Sequence, residues 1–128
     1  MSLPLQIQKD SGLPVYVQVE QQLRLLMHQG ELLPGDLLPT VRELAVELGV
    51  NSNTISRVYR DLQAAGLLVL RRGVGTFVAE SAGVRPIRPK DLKGLVKKVD
   101  GLVELAQSLG MTSPELSQLI ETRWKSNA

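Results

Sequence analysis

The chain has 128 residues, room for one ordinary domain and a small appendage. Hydrophobic residues make up 43% and aromatics only 3%, so a core can form but must be built from Leu, Val, Ile and Ala. The absence of cysteine excludes a disulfide framework, a single histidine (His28) disfavours a structural zinc site, and the net charge is only +2.

The first ten residues, MSLPLQIQKD, lack a basic stretch followed by an apolar one, so no secretory signal is expected. No apolar run approaches the ~20 residues of a transmembrane helix, and a cytoplasmic location is expected by elimination. Leu5, Gln6, Ile7 and Gln8 alternate, which predicts a short strand. Over residues 14–28, Tyr16, Val19, Leu23, Leu26 and Met27 recur at helical spacing, with Pro14 suited to the first turn and Gly30 to the stop. Residues 31–39 contain Pro34-Gly35-Asp36 and read as a turn-rich connection.

Thr40 and Glu43 then make a capping box, in which each side chain can serve the other's backbone N–H. Val41, Leu44, Ala45 and Leu48 form the inner face of a second helix, ended by Gly49. Asn51 is a good N-cap for a third helix, whose inner stripe is Ile55, Val58, Tyr59, Leu62 and Ala65, closed by Gly66. Tyr59 belongs with the core. Two short helices joined by a tight glycine turn outline a helix-turn-helix. Residues 67–70 and 76–79 follow as strands around Arg71-Arg72-Gly73-Val74-Gly75, so the order predicted is that of a winged helix. The charge is uneven along this stretch. Residues 12–50 carry two arginines against five acids, whereas residues 51–76 carry Arg57, Arg60, Arg71 and Arg72 against Asp61 alone. A local phosphate-facing surface needs that concentration, although surface scatter can also produce it.

Residues 81–89 (SAGVRPIRP) read as a linker. Beyond them Leu92, Leu95, Val99, Leu102, Ala106 and Leu109 advance in steps of three and four, a heptad-like seam widened by Val96 and Val103. Gly110 ends this helix, Ser113 is expected to cap another with Pro114 in its first turn, and Leu116, Leu119, Ile120 and Trp124 mark its apolar face. Two helices of this size bury little surface alone, so they must pack on a copy of themselves or as a lid on the winged domain. The seam favours the copy. The fold class expected is therefore mainly α with a small β-hairpin. Its domains are a winged helix-turn-helix over residues 1–80, the linker at 81–89 and a two-helix dimerisation module over 90–128.

The segments LPVYVQVEQQLRLLM, GELLPGDLLPTVRELAVELGV and NSNTISRVYRDLQAAGLLVLRRGVGTFV resemble the DNA-binding domain of the GntR regulators, over about half the chain. Asn51 to Thr54 with Arg57 and Tyr59, and the short tail, resemble the YtrA-like subgroup, whose C-terminal part is a small helical dimerisation module. The resemblance implies that Arg42 touches the DNA backbone and groove edge. It places Asn51, Ser52, Asn53 and Thr54 against phosphates and base edges, Ser56, Arg57 and Arg60 toward the groove, and Arg72 and Gly73, beside Arg71, at the wing tip near the minor groove. Many members carry an arginine where this chain has Ser52, so base preference does not transfer. On the residues alone, Arg42 could equally pair with Glu43 or Glu47, Asn51 could be only a cap, and Arg71 and Arg72 could be strand-edge charges.

The chemistry agrees with a DNA reader. A helix N-terminus suits a phosphate, asparagine can pair two-fold with adenine, and arginine with guanine. No nucleophile–base pair, phosphate-cradling glycine loop or metal-ligand spacing suggests an enzyme or a cofactor. The function expected is a homodimeric repressor that binds double-stranded DNA at an inverted repeat. The competing reading, a winged-helix protein-interaction module, predicts sequence-indifferent DNA binding instead. A small-molecule effector is left open, because the tail offers little volume for a pocket of ~300 Å³ or more. Asp91, Asp100 and Glu104 are read as solvated helix charges before metal ligands.

Overall fold

A computed structural model describes residues 3–80 and 87–127. The described residues form α1 (Val15–His28), α2 (Val41–Leu48), α3 (Ser52–Ala64), β1 (Leu68–Arg71), β2 (Gly75–Val78), α4 (Pro89–Ser108) and α5 (Ser113–Ser126). The chain divides into two compact units, one built on α1 to β2 and the other on α4 and α5. Most of the expected linker (81–86 of 81–89) lies outside the described residues.

In the first unit α3 packs against α1, α2 and β1. The core is aliphatic, as the composition requires. Val19 and Leu23 from α1, Leu44 from α2, and Ile55, Val58 and Leu62 from α3 are all fully buried. Tyr59 is the aromatic member. Its hydroxyl donates to the Pro39 carbonyl at 2.7 Å and ties α3 to the loop that feeds α2. Burial raises the phenol's pKa well above its ordinary value, so the donor is retained across the working pH range. Tyr59→Phe leaves the buried Pro39 carbonyl unpaired and is expected to cost about 1–3 kcal/mol of stability. Urea denaturation would check this, and an unchanged midpoint would contradict it.

The strand expected at residues 5–8 does not form. Leu5 is buried in the core, but no neighbouring strand pairs with this segment. Two glutamine side chains of α1 serve its backbone instead. Gln18 Oε1 accepts the Gln8 N–H (2.8 Å) while its Nε2 donates to the Gln8 and Leu13 carbonyls (both 2.9 Å). Gln22 does the same for both backbone groups of Gln6, at 2.9 and 2.7 Å. A side-chain amide presents the donor and acceptor of a peptide group, so it can replace a partner strand.

The hairpin β1–β2 is antiparallel, with Leu68 opposite Val78 and Arg71 opposite Gly75. Residues 35–38 line its other edge. Gly35 and Leu38 donate to the Val78 and Thr76 carbonyls, Val78 donates to Asp36, and Leu37 bridges Phe77. The connection read from Pro34-Gly35-Asp36 is thus a turn followed by a partner for the wing.

In the second unit α4 begins at Pro89, one position before the expected module, with proline in its first turn. The cap of α5 is Thr112 rather than Ser113. Thr112 and Glu115 exchange hydrogen bonds in a second capping box. A Ser/Thr-x-x-Glu box satisfies two N–H groups, where Ser113 would satisfy one at best.

Candidate nucleic-acid interface

The turn between α2 and α3 is short because Gly49 takes a left-handed conformation (φ +67°) that a side chain would resist. It is followed by Val50 and by Asn51 as the N-cap of α3. The Thr40–Glu43 box starts α2 as expected, with bonds of 3.0 and 2.9 Å. The Thr40 N–H bonded to the Glu43 carboxylate holds its pKa below the usual value, so Glu43 is charged and engaged. One oxygen of Glu43 thus serves the N-terminus of its own helix, beside Arg42, which is exposed in the first turn of α2.

Asn51 Oδ1 accepts the Asn53 N–H at 2.8 Å. Its oxygen is committed to the cap, whereas two-fold recognition of adenine needs both amide atoms. The exposed Asn53 side chain has no such duty. Ser52, Asn53, Ser56, Arg57 and Arg60 are all exposed, Thr54 is half-buried, and the buried stripe Ile55, Val58, Tyr59 and Leu62 occupies the opposite side. Asn53, Arg57 and Arg60, spaced by four and three residues, share one face.

Arg57 does not project freely. Its guanidinium lies 3.8 Å from the centroid of the Tyr16 ring on α1, and its Nε is 3.9 Å from the Asp61 carboxylate. At the wing, Arg71-Arg72-Gly73-Val74 forms a turn closed by the Val74 N–H on the Arg71 carbonyl at 3.0 Å. Gly73 has φ +75°, and a Cβ there would meet nothing within 4 Å, so the tip is open to close approach. Arg72 is exposed at the tip, while the Arg71 guanidinium lies 5.0 Å above the Phe77 ring.

The residues that sequence reasoning missed are these aromatic seats. Tyr16 is read from the sequence only as part of an apolar face. The available signal was scarcity: the chain has two tyrosines, one phenylalanine and one tryptophan. Three of these four lie in the first unit, where two underlie arginines and the third pins a backbone carbonyl.

In the second unit the seam residues Leu95, Val96, Val99, Leu102, Val103 and Leu109 are exposed, Leu92 is half-buried, and Ala106 alone is buried. Leu119 and Ile120 of α5 are also exposed, and Trp124 is 74% exposed. Leu102 and these α5 side chains wall an open groove of about 590 Å³ with Leu116, Arg123 and Asn127. The expectation that the tail offers little volume is therefore corrected. The apolar side chains of α4 and α5 that wall this groove stay largely exposed, so the space beside them is open. Asp91 pairs with Arg88 at 2.9 Å, and among the described residues no group of three His, Asp or Glu could hold a metal.

A three-helix core whose third helix exposes arginines and an asparagine, followed by a hairpin with arginines at its tip, is the winged helix-turn-helix of a DNA-binding transcriptional regulator. The pattern of the bacterial regulatory proteins of the gntR family matches residues 15–78, and the chain belongs to that family. It is 38% identical over 117 residues to the uncharacterized HTH-type transcriptional regulator YhcF of Bacillus subtilis, covering 90% of this chain and 93% of that one. To the HTH-type transcriptional repressor YtrA of the same organism it is 42% identical over 78 residues, 61% of this chain and 60% of that one, and it is YtrA-like. Among solved structures, the DNA-binding domain of AraR in complex with operator ORE1 matches with TM-score 0.51 and 36% identity, over 60% of this chain and 94% of that one. The protein is a regulator and not an enzyme.

Proposed function

We propose that the chain is a homodimeric repressor that reads an inverted-repeat operator in double-stranded DNA. Residues 1–80 bind DNA, 81–89 link, and 90–128 dimerise. The observation that carries this reading is the exposed face of α3, where Asn53, Arg57 and Arg60 line up opposite a fully buried stripe. In this reading Ser56, Arg57 and Arg60 face the groove, the first turn of α3 (Asn51, Ser52, Asn53, Thr54) meets phosphates and base edges, and Arg42 touches the backbone and groove edge. Arg71, Arg72 and Gly73 follow the minor groove. The AraR domain, whose solved structure contains an operator, supports DNA as the partner. The name of YtrA supports repression as the outcome. No helix among the described residues is long and apolar enough to cross a membrane, which suits a protein working on DNA in the cytoplasm.

The second copy is assigned to the α4 seam. Soluble monomers rarely expose a large contiguous apolar patch, and here it runs from Leu95 through Leu102 to Trp124. Leu102 belongs both to the seam and to the groove wall, so one partner copy can cover both. We assign the groove to that copy rather than to a separate effector. The test is a mobility-shift and footprinting titration with DNA from the protein's own promoter. The expected result is protection of two half-sites whose centres lie about one helical turn (10–10.5 bp), or a multiple of it, apart, with affinity falling steeply as salt rises. Equal affinity for unrelated competitor DNA would favour the protein-interaction module instead.

A further inference from the structure

The polar face of α3 contains two arginines, and only one of them rests on another helix. We infer that Tyr16 is a positioning residue of the DNA interface, its ring holding the Arg57 guanidinium in the orientation used on DNA. The inference rests on the DNA-reading function proposed above.

The distance decides the kind of contact. A guanidinium 3.8 Å from a ring centroid lies within the ≈ 6 Å over which a ring face attracts a cation. Stacking of this kind uses the flat face of the guanidinium, whereas its five N–H donors lie in the plane and point outward at the edges. A stacked arginine is therefore restrained without spending its donors. Asp61 completes the restraint. Its carboxylate sits 3.9 Å from Arg57 Nε, close enough for charge attraction but too long for a hydrogen bond. The ring from α1 and the carboxylate one turn further along α3 thus restrain the same side chain.

Tyr16 can do this because it is itself fixed. It is half-buried and packs against the core from the first turn of α1, and α3 packs on α1. A long side chain ordered before binding loses less freedom when it meets its target, so the ring raises affinity without touching DNA. A leucine would fill the same position at the same helical spacing, but it has no π face.

The experiment is a double-mutant cycle, read by fluorescence anisotropy. Its probe is a short labelled duplex selected from random sequence by the wild-type full-length chain. Arg57→Gln is expected to bind at least fivefold more weakly. Tyr16→Leu is expected to bind about two- to fivefold more weakly, the size of an exposed cation–π contact. Tyr16→Phe, which keeps the ring, should bind like wild type, and adding Tyr16→Leu to Arg57→Gln should cost nothing further. A ring contact also leaves a spectroscopic trace in the free protein. The Arg57 δ-protons should be shifted upfield in wild type and in Tyr16→Phe, and should return to ordinary values in Tyr16→Leu.

Undiminished binding by Arg57→Gln would remove Arg57 from the interface, and the positioning role with it. Weak binding by Arg57→Gln alongside wild-type binding by Tyr16→Leu would overturn the positioning role alone. So would an equal loss from Tyr16→Leu with and without Arg57, or a Tyr16→Phe variant as weak as Tyr16→Leu. If Tyr16→Leu does not fold, unshifted Arg57 protons in the wild-type protein overturn the inference without it.

Discussion

The chain with both Arg42 and Arg57 changed to alanine is expected to lose specific DNA binding by roughly two orders of magnitude or more. Each arginine is exposed, one in the first turn of α2 and the other midway along α3, and they lie on the two helices of the reading unit. A charge-assisted contact of this kind is worth about 1.5–3 kcal/mol, so losing two costs about 3–6 kcal/mol when the sites are independent. The loss should divide in a telling way. Where an arginine meets only phosphate, its removal weakens specific and unrelated DNA alike and lowers the salt slope by about one. Where it meets a base edge, the specific duplex suffers more than the competitor. Mobility-shift titrations at several salt concentrations measure both effects. Specific binding that survived the double change would show that the interface lies elsewhere. The neighbouring Asp61 gives an opposite sign within the same assay. Its carboxylate repels phosphate, and on unrelated DNA, where the positioning of Arg57 matters least, Asp61→Asn should tighten binding.

The second large effect lies in the tail. Val99→Glu with Leu102→Glu puts two charges into the centre of the α4 seam, where both side chains are half-exposed or nearly so in the single chain. A buried unpaired carboxylate is costly enough to prevent association. The variant should sediment as a monomer and bind the full inverted repeat about 10²- to 10⁴-fold more weakly, since two linked half-site contacts become independent ones. Binding to a single half-site should be unchanged. A further consequence concerns the fold of the tail. α4 buries only Ala106, and α5 buries no described residue. Isolated helices near or below ~12–15 residues are marginal in water, so in the proposed dimer α5, with 14 residues, is expected to gain order from the partner copy. Circular dichroism on dilution should therefore lose helical signal in step with dissociation. A variant that still sedimented at dimer mass would place the dimer contact outside the seam.

Periodicity, caps and stops made the five helices legible, because each signal is local. The Thr40–Glu43 box and the Gly49 turn occur in the structure as the residues suggest. The Thr112–Glu115 box was equally present in the sequence, yet Ser113-Pro114 drew the helix start one position too late. The strand expected at residues 5–8 failed for a different reason. Alternation shows which side chains face inward but not what pairs with the backbone, and here Gln18 and Gln22 take that part. Likewise nothing local marks residues 35–38 as the other edge of the wing.

By itself, then, the sequence determined a three-helix core with a hairpin, a basic third helix and wing, and an apolar stripe along the tail. These follow from residue type and spacing over a few turns. The tertiary structure decided how individual groups are spent. Asn51 gives its oxygen to the cap while Asn53 keeps its amide. Arg57 lies on a ring from α1, forty-one positions away in sequence, and Arg71 lies on Phe77 across the hairpin. Such pairings depend on how helices cross and strands register, and packing of the whole core sets both.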